Sequence, residues 1–310
     1  MSNRRIARFN TLVVDHLVSR LDRTQKENFS ECRLFDSDGS KYLLQRAQED
    51  PNKIRLSFSL AAFAANIAVA ASLSTIAADL SARHHGYCEM STDVEGSYQL
   101  VLTIQLDTLQ LQNPTLQLQH LQSIGCIRAD ILCWPLRQAL LQLRAGETAQ
   151  PDTFLIYSKP AQPIIVKQTN EECVCVFPIY VSEGSSKAYT NAFVQGFAET
   201  RRLGAGGDAP QCSFTSGPAP VPVPEDVRDL VCRASGGFVS IVVLPRHVRD
   251  ATLDELTWTL LTLQDHVHYH VKCFKALIHS RMRKRMQSMI LELGQAKAGT
   301  REVLAAINTY

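Results

Sequence analysis

Apolar residues recur at helical spacing near the start of the chain, where Ile6, Phe9, Val13, Leu17 and Leu21 fall three and four apart among Arg and Asp. That spacing predicts an amphipathic helix over residues 5–22. The pattern then shortens. Runs at Glu31–Leu34 and Lys41–Leu44 flank the turn Phe35-Asp-Ser-Asp-Gly-Ser40, whose Asp-Gly pair predicts a hairpin. Ile54, Leu56, Phe58 and Leu60 alternate as a strand and lead into an Ala-rich helix. Leu100, Leu102, Ile104 and Leu106 put another alternating strand at 98–106. The Leu-Gln stretch at 109–122 leads into a helix through Ile127, Ile131, Leu136 and Leu140, which Pro135 is expected to kink or restart.

Residues 145–152 are polar and carry Gly146 and Pro151, and they mark the expected boundary between an N-terminal domain, 1–148, and a C-terminal domain, 149–310. Beyond it the pattern predicts strands at 153–157, 163–167, 172–181, 190–199 and 238–244. The segment 204–224 ends in the tract Pro218-Ala-Pro-Val-Pro-Val-Pro224. Each ring fixes φ and removes a donor, so the tract is expected to be a stiff, extended loop, although a ligand for a proline-recognition module is the alternative. The last element is a helix over about 252–293. It has no Pro or Gly, begins with the capping-box pair Thr252 and Glu255, and is offered a stop at Gly294. At about 1.5 Å per residue it is roughly 60 Å long, more than a domain of this size can cover. Its stripe runs through Leu256, Leu260, Leu263, Val267, Val271, Phe274, Ile278, Met282, Met289 and Leu293, and a partner chain is the simplest cover.

Composition narrows this little. The 310 residues include 32 basic and 30 acidic side chains, and 45% are hydrophobic, which excludes a disordered chain and leaves charge to act only through local clusters. Residues 56–78 carry no charge, but Ala, Ser and Asn make them too weakly apolar for a membrane span, and none is expected. Nine scattered cysteines without a CxxC pair suggest an intracellular protein, with Cys173 and Cys175 as buried small hydrophobes on one strand face. No phosphate-binding glycine loop, nucleophile elbow or HExxH pair is present, and no cofactor is expected. Two clusters on the last helix carry chemistry. His266 and His270 have the spacing of a two-His metal site, although helical histidines more often bond across interfaces, and no metal is assigned. Lys272, Lys275, Arg281, Arg283, Lys284 and Arg285 occupy residues 267–291 with no acid among them. They suit an acidic protein surface better than nucleic acid, because no aromatic platforms are interleaved with them.

Two runs on either side of the helix start, FVSIVVLPRH at 238–247 and HYHVKCFKALIHSRMR at 268–283, resemble the p34 scaffold subunit family of the actin-related protein 2/3 complex. Phe193–Phe197, Arg201-Arg202 and Ala209–Gln211 follow that family's order, and Asp36–Gly39 and Ile54–Leu60 do so more weakly. The resemblance implies an α+β architecture: two similar α/β domains, each a mostly antiparallel sheet with helices, followed by a long C-terminal helix. It implies a non-enzymatic scaffold of the cytoplasm and actin cytoskeleton. Its helix would lie antiparallel to one in the p20 subunit of a seven-subunit assembly that holds two actin-related proteins and grips the side of a mother actin filament for branched nucleation. By the same implication Leu256, Leu260, Leu263, Val267, Val271, Phe274 and Ile278 pack on the partner helix or on this chain's own sheet. Lys272, Lys275, Arg281, Arg283, Lys284 and Arg285 become filament-contact candidates, with Arg201 and Arg202 as a second basic pair. The competing expectation is a free-standing basic-helix module that binds nucleic acid or a His-ligated metal.

Overall fold

The structure is a computed structural model, and it describes residues 7–21, 31–36, 38–46, 50, 52–92, 97–147, 152–181, 184–204 and 209–307. The helix expected at 5–22 is α1 (Thr11–Leu21), with Val13, Val14 and Leu17 buried. Strands β1 (Glu31–Phe35), β2 (Lys41–Arg46) and β3 (Lys53–Ser59) form an antiparallel meander. The Ala-rich stretch breaks into a 3-10 turn (Phe63–Ala65) and helices α2 (Ile67–Ala71) and α3 (Leu73–Arg83). Strand β4 (Cys88–Ser91) was not expected, and β5 (Leu100–Gln105) was. The short α4 (Leu106–Gln110) then leads into α5 (Pro114–Ala145). Pro135 lies inside this single helix and neither starts nor ends one.

The second half repeats the plan. Strands β6 (Thr153–Tyr157), β7 (Pro163–Gln168) and β8 (Cys173–Pro178) make a meander. Helix α6 (Gly184–Gly204), strand β9 (Gln211–Thr215), the short α7 (Arg228–Cys232) and strand β10 (Phe238–Val243) follow. Two 3-10 turns, Pro245–His247 and Asp250–Thr252, precede α8 (Leu253–Ile307). The sheets run β1-β2-β3-β5-β4 and β6-β7-β8-β10-β9, so each half is the same five-stranded antiparallel sheet closed by a long helix. The fold is α+β, as expected. The strand expected at 190–199 is wrong, because that segment lies within α6. Its buried residues, Thr190, Val194 and Ala198, fall every fourth position, a helical spacing that the Gly196 punctuation obscured.

One core serves both sheets. In the first, Leu44, Leu56 and Leu102 stand opposite one another across three strands, and Tyr42 meets Phe58 edge-on with ring centroids 5.6 Å apart. In the second the equivalent row is Val166, Cys175, Ile241 and Cys212. Cys173 and Cys175 are fully buried on one face, and burial raises the Cys175 thiol pKa further once its hydrogen bond with Cys173 has done so. Helix α5 is buried along most of its length from Leu121 onward, and its residues join those of both sheets and of α8 in one apolar cluster. The proline tract has a definite place. Ala219, Val221 and Val223 cover Ile165, Val176 and Phe238 on the outer face of the second sheet, a satellite core that the extended backbone can lie across. Those alanine and valine side chains face the sheet, while Pro218, Pro220 and Pro222 between them are exposed.

Candidate functional site: the last helix

Helix α8 has 55 residues and is therefore about 80 Å long. Gly294 does not stop it, because a glycine inside a helix costs only about 1 kcal/mol and no proline follows. The first turns are anchored by charge. Arg8 pairs with Asp130 on α5 and, at 3.1 Å, with Asp254, while Arg137 reaches Asp254 at 3.1 Å and Arg144 reaches Asp250 at 2.6 Å. Asp130 is almost fully buried, and burial raises its pKa against the opposing pull of Arg8 and Arg83. Arg128 pairs with Asp36 and Asp38 in the first hairpin turn, and its guanidinium lies 5.5 Å from the ring centre of Trp258 on α8. The Asp-rich turn picked out in the sequence thus receives an arginine from α5.

The next turns lie on the second sheet. Gln264 is fully buried and donates to the Pro178 carbonyl at 2.6 Å; His268 Nε2 lies 3.3 Å from the Tyr180 carbonyl; Lys159 pairs with Asp265 at 2.6 Å. Leu260, Leu263 and Val267 are buried in this chain's own core, and Leu256 and Val271 pack against it. Helix α6 supports the following stretch through Phe193, which stacks on His270 and meets Phe274, and through Tyr189, 6.3 Å from His279. Phe274 and Ile278 are half-buried. His270 is stacked on Phe193, burial and then His270 lower the His266 pKa, and among the described residues no group of three or more His, Cys, Asp or Glu could hold an ion.

Past residue 279 the described side chains of α8 are exposed. Met282, Met286, Met289, Ile290 and Leu293 are 53–64% exposed. At about 100° per residue, Val271, Ile278, Met282, Met286, Met289 and Leu293 share one arc roughly 80° wide. Met286 belongs to that seam by its four-residue spacing from Met282, and Ile290 borders it; both were missed in the sequence. The six cations do not form one stripe. Lys272 and Arg283 flank the seam on one side, Arg281 and Arg285 flank it on the other with Lys284 toward the back, and Lys275 lies within the seam. All but the half-buried Lys275 are exposed. Arg201 and Arg202 occupy the last turn of α6, and their side chains lie outside the described residues.

A family model described as the Arp2/3 complex 34 kD subunit p34-Arc matches residues 66–300. The chain belongs to this family. It is 32% identical over 180 residues to actin-related protein 2/3 complex subunit 2A of Arabidopsis thaliana, covering 57% of this chain and 56% of that protein. It is 29% identical over 196 residues to subunit 2B of the same plant, covering 62% and 51%. With actin-related protein 2/3 complex subunit 2 of Dictyostelium discoideum it shares 22% identity over 291 residues, covering 93% and 91%. The chain thus spans about half the length of the two plant relatives and most of the Dictyostelium one. The p34-Arc match takes in both runs that carried the resemblance, 238–247 and 268–283, and most of α8. No helix among the described residues is long and apolar enough to cross a membrane.

Proposed function

We propose that this chain is a non-enzymatic scaffold subunit of an actin-related protein 2/3 complex in the cytoplasmic actin cytoskeleton. In this reading α8 pairs with the p20 subunit, the two actin-related proteins are held by the resulting assembly, and the basic flanks of α8 contact the side of the mother filament. The observation that carries it is the stretch of α8 beyond residue 279, with an apolar seam that is exposed and that no other element among the described residues covers. A solvated helix has no reason to place Met282, Met286, Met289 and Leu293 on one arc, whereas half of a helix pair does. Because Leu260, Leu263 and Val267 are committed to the chain's own core, the partner's contact begins near Val271 and continues through Phe274, Ile278 and the methionines. The division at 148/149 belongs to the same proposal. Each half carries one copy of the sheet plan, while the shared core makes the halves units of topology and not of independent stability.

The test is charge reversal. Arg281, Arg283, Lys284 and Arg285 are replaced by Glu in the assembled complex, and co-sedimentation with filaments is measured at low and moderate salt. A several-fold weaker affinity, with the assembly intact, is expected. Unchanged binding would remove this patch from filament contact and leave Arg201 and Arg202 as the pair to try next.

A further inference from the structure

The sequence has a single run of three consecutive cations, Arg283-Lys284-Arg285, and it ends three residues before a hydroxyl, Ser288. The pairing of α8 with another helix makes no use of that serine. At about 100° per residue Ser288 lies about 120° round the helix from Met282, well off the apolar seam. By the same count it stands about 20° from Arg281, about 40° from Lys284 and about 60° from Arg285, within one basic flank. Ser288 and these three cations are exposed. The hydroxyl donates to Glu292 Oε1, one turn on, at 3.4 Å, a long and weak contact.

A kinase that selects substrates by charge has an acidic groove, which takes an extended chain with cations on the N-terminal side of the acceptor hydroxyl. Two other hydroxyls in the sequence follow an arginine at the same distance, Thr11 and Thr252. The arginine ahead of Thr11 is Arg8, which is already paired with Asp130 and Asp254. Thr252 ends the 3-10 turn that begins at Asp250 and has Asp254 two residues on, and an acidic groove repels both carboxylates. Ser288 is free of such restraints. No other element among the described residues covers α8 there, so unwinding around it breaks helix hydrogen bonds and no tertiary packing. Gly294 and Gly299, which weaken a helix from within, follow shortly after.

We infer that Ser288 is the acceptor of a cation-reading serine kinase, and that its phosphate cancels the charge of one basic flank of α8. Ser288 Oγ attacks the γ-phosphorus of ATP; the new O–P bond forms as the bond to the β-phosphate oxygen breaks, ADP leaves, and the hydroxyl proton passes to the kinase's catalytic carboxylate. The phosphate carries about −1.5 to −2 charges at pH 7. It stands one helical turn after Lys284 and Arg285, at the spacing from which both side chains reach it. Three cations less Glu292 give this flank a charge of +2, and the phosphate brings it to about zero. Arg283, across the seam, keeps its charge. The seam itself is unaltered, so helix pairing continues while attraction to an acidic surface falls. The consequence for filaments rests on the proposed filament contact of this flank; the modification itself does not.

The experiment has two arms. In the first, the isolated full chain is incubated with ATP and the catalytic subunit of cyclic-AMP-dependent protein kinase, and the phosphate is located by mass spectrometry. Near-complete modification of Ser288 is expected, at least about tenfold slower in Arg285→Ala and absent from that position in Ser288→Ala. In the second, phosphoserine is installed at 288 during translation, the chain is assembled into the complex, and filament co-sedimentation is compared with the unmodified and the charge-reversed complexes. A several-fold weaker affinity, with the assembly intact and the difference shrinking at high salt, supports the inference. No phosphate at Ser288, or a rate indifferent to Arg285, overturns it and leaves the filament contact standing. Phosphoserine that disrupts the assembly, or that leaves binding unchanged where charge reversal weakens it, also overturns it. If neither change weakens binding, the filament contact is what has failed, and the phosphate's effect on it falls too.

Discussion

Asn66→Ala tests whether the two halves are one cooperative body. Asn66 is 1% exposed and lies in the first half, yet two of its three side-chain hydrogen bonds go to Tyr157 in the second; the third, to the Ala62 carbonyl at 3.1 Å, fixes the side chain on its own turn. Truncation removes all three and leaves the Tyr157 N–H without its Asn66 acceptor. Hydrogen bonds contribute about 0.5–1.5 kcal/mol each, and a buried group deprived of its partner costs about 1–3 kcal/mol. Together these give a loss of roughly 3 kcal/mol, allowing for overlap between the two counts. With a urea m-value near 3 kcal/mol/M, the midpoint falls by about 1 M. The assay is urea unfolding followed by the fluorescence of Trp134 and Trp258 and by circular dichroism. A single transition, displaced equally by both probes, is expected, because the two sheets, α5 and α8 share one core. Asn66→Asp sharpens the test: it keeps an acceptor for Tyr157 but loses both donors and buries a charge, so it is expected to be at least as damaging at pH 7. A shift below about 0.3 M for Asn66→Ala, or loss confined to one probe, would refute the reasoning.

Further expectations rest on separate parts of the chain. His84 is buried, and burial first, then Arg83 and His120, lower its pKa to about 4, so it is neutral in the fold. The unfolded chain binds this proton near pH 6.5, so stability is full above that pH and falls by about 1.4 kcal/mol per unit as pH drops toward 4. Thermal melts of His84→Gln between pH 7 and 5 are expected to show a flatter profile than the native chain. Gly237 has φ +82° and an added Cβ would lie 2.6 Å from the Thr215 carbonyl, whereas Gly146 has φ +75° with open space around it. Gly237→Ala is therefore expected to cost well over 2 kcal/mol, and Gly146→Ala about 1 kcal/mol, by equilibrium unfolding. Met282→Asp with Met289→Asp is expected to leave the isolated chain's stability within about 0.5 kcal/mol while abolishing recovery of a helical partner on purification, since both positions are exposed.

What the sequence disclosed follows from how local each signal is. The strands at 53–59, 153–157, 163–168 and 238–243 alternate or run apolar between turn residues, and they appear within a residue or two of expectation. Strands β4 and β9 were invisible because Cys-Glu-Met-Ser and Gln-Cys-Ser-Phe-Thr are short and half-polar, and register with a neighbouring strand makes them strands. Helix α6 was misread because Val194, Phe197 and Ala198 lie among β-formers around a glycine, and only its packing against α8 fixes the period. At the site, the apolar seam of α8 was legible from spacing. The place where burial gives way to exposure was not, because it depends on how far α6 reaches, at Tyr189 and Phe193, along the longer helix.

The duplicated plan explains why the last helix projects at all. Each five-stranded sheet is followed by a long helix, so α5 and α8 hold equivalent positions. Helix α5 is enclosed because a second half follows it and supplies β6, β7 and β8 to pack against its later turns. Beyond residue 279 the described side chains of α8 have no such cover among the described residues. Its early turns bond to the end of the second sheet through Gln264 and His268, and its later turns reach beyond it. An apolar arc that continues past the last covering element is what a third packing partner in that series would bury. If Met282 and Met289 tolerate charge in the assembled complex as well as in the isolated chain, that continuation is wrong, and the projecting end of α8 serves only to carry its flanking cations.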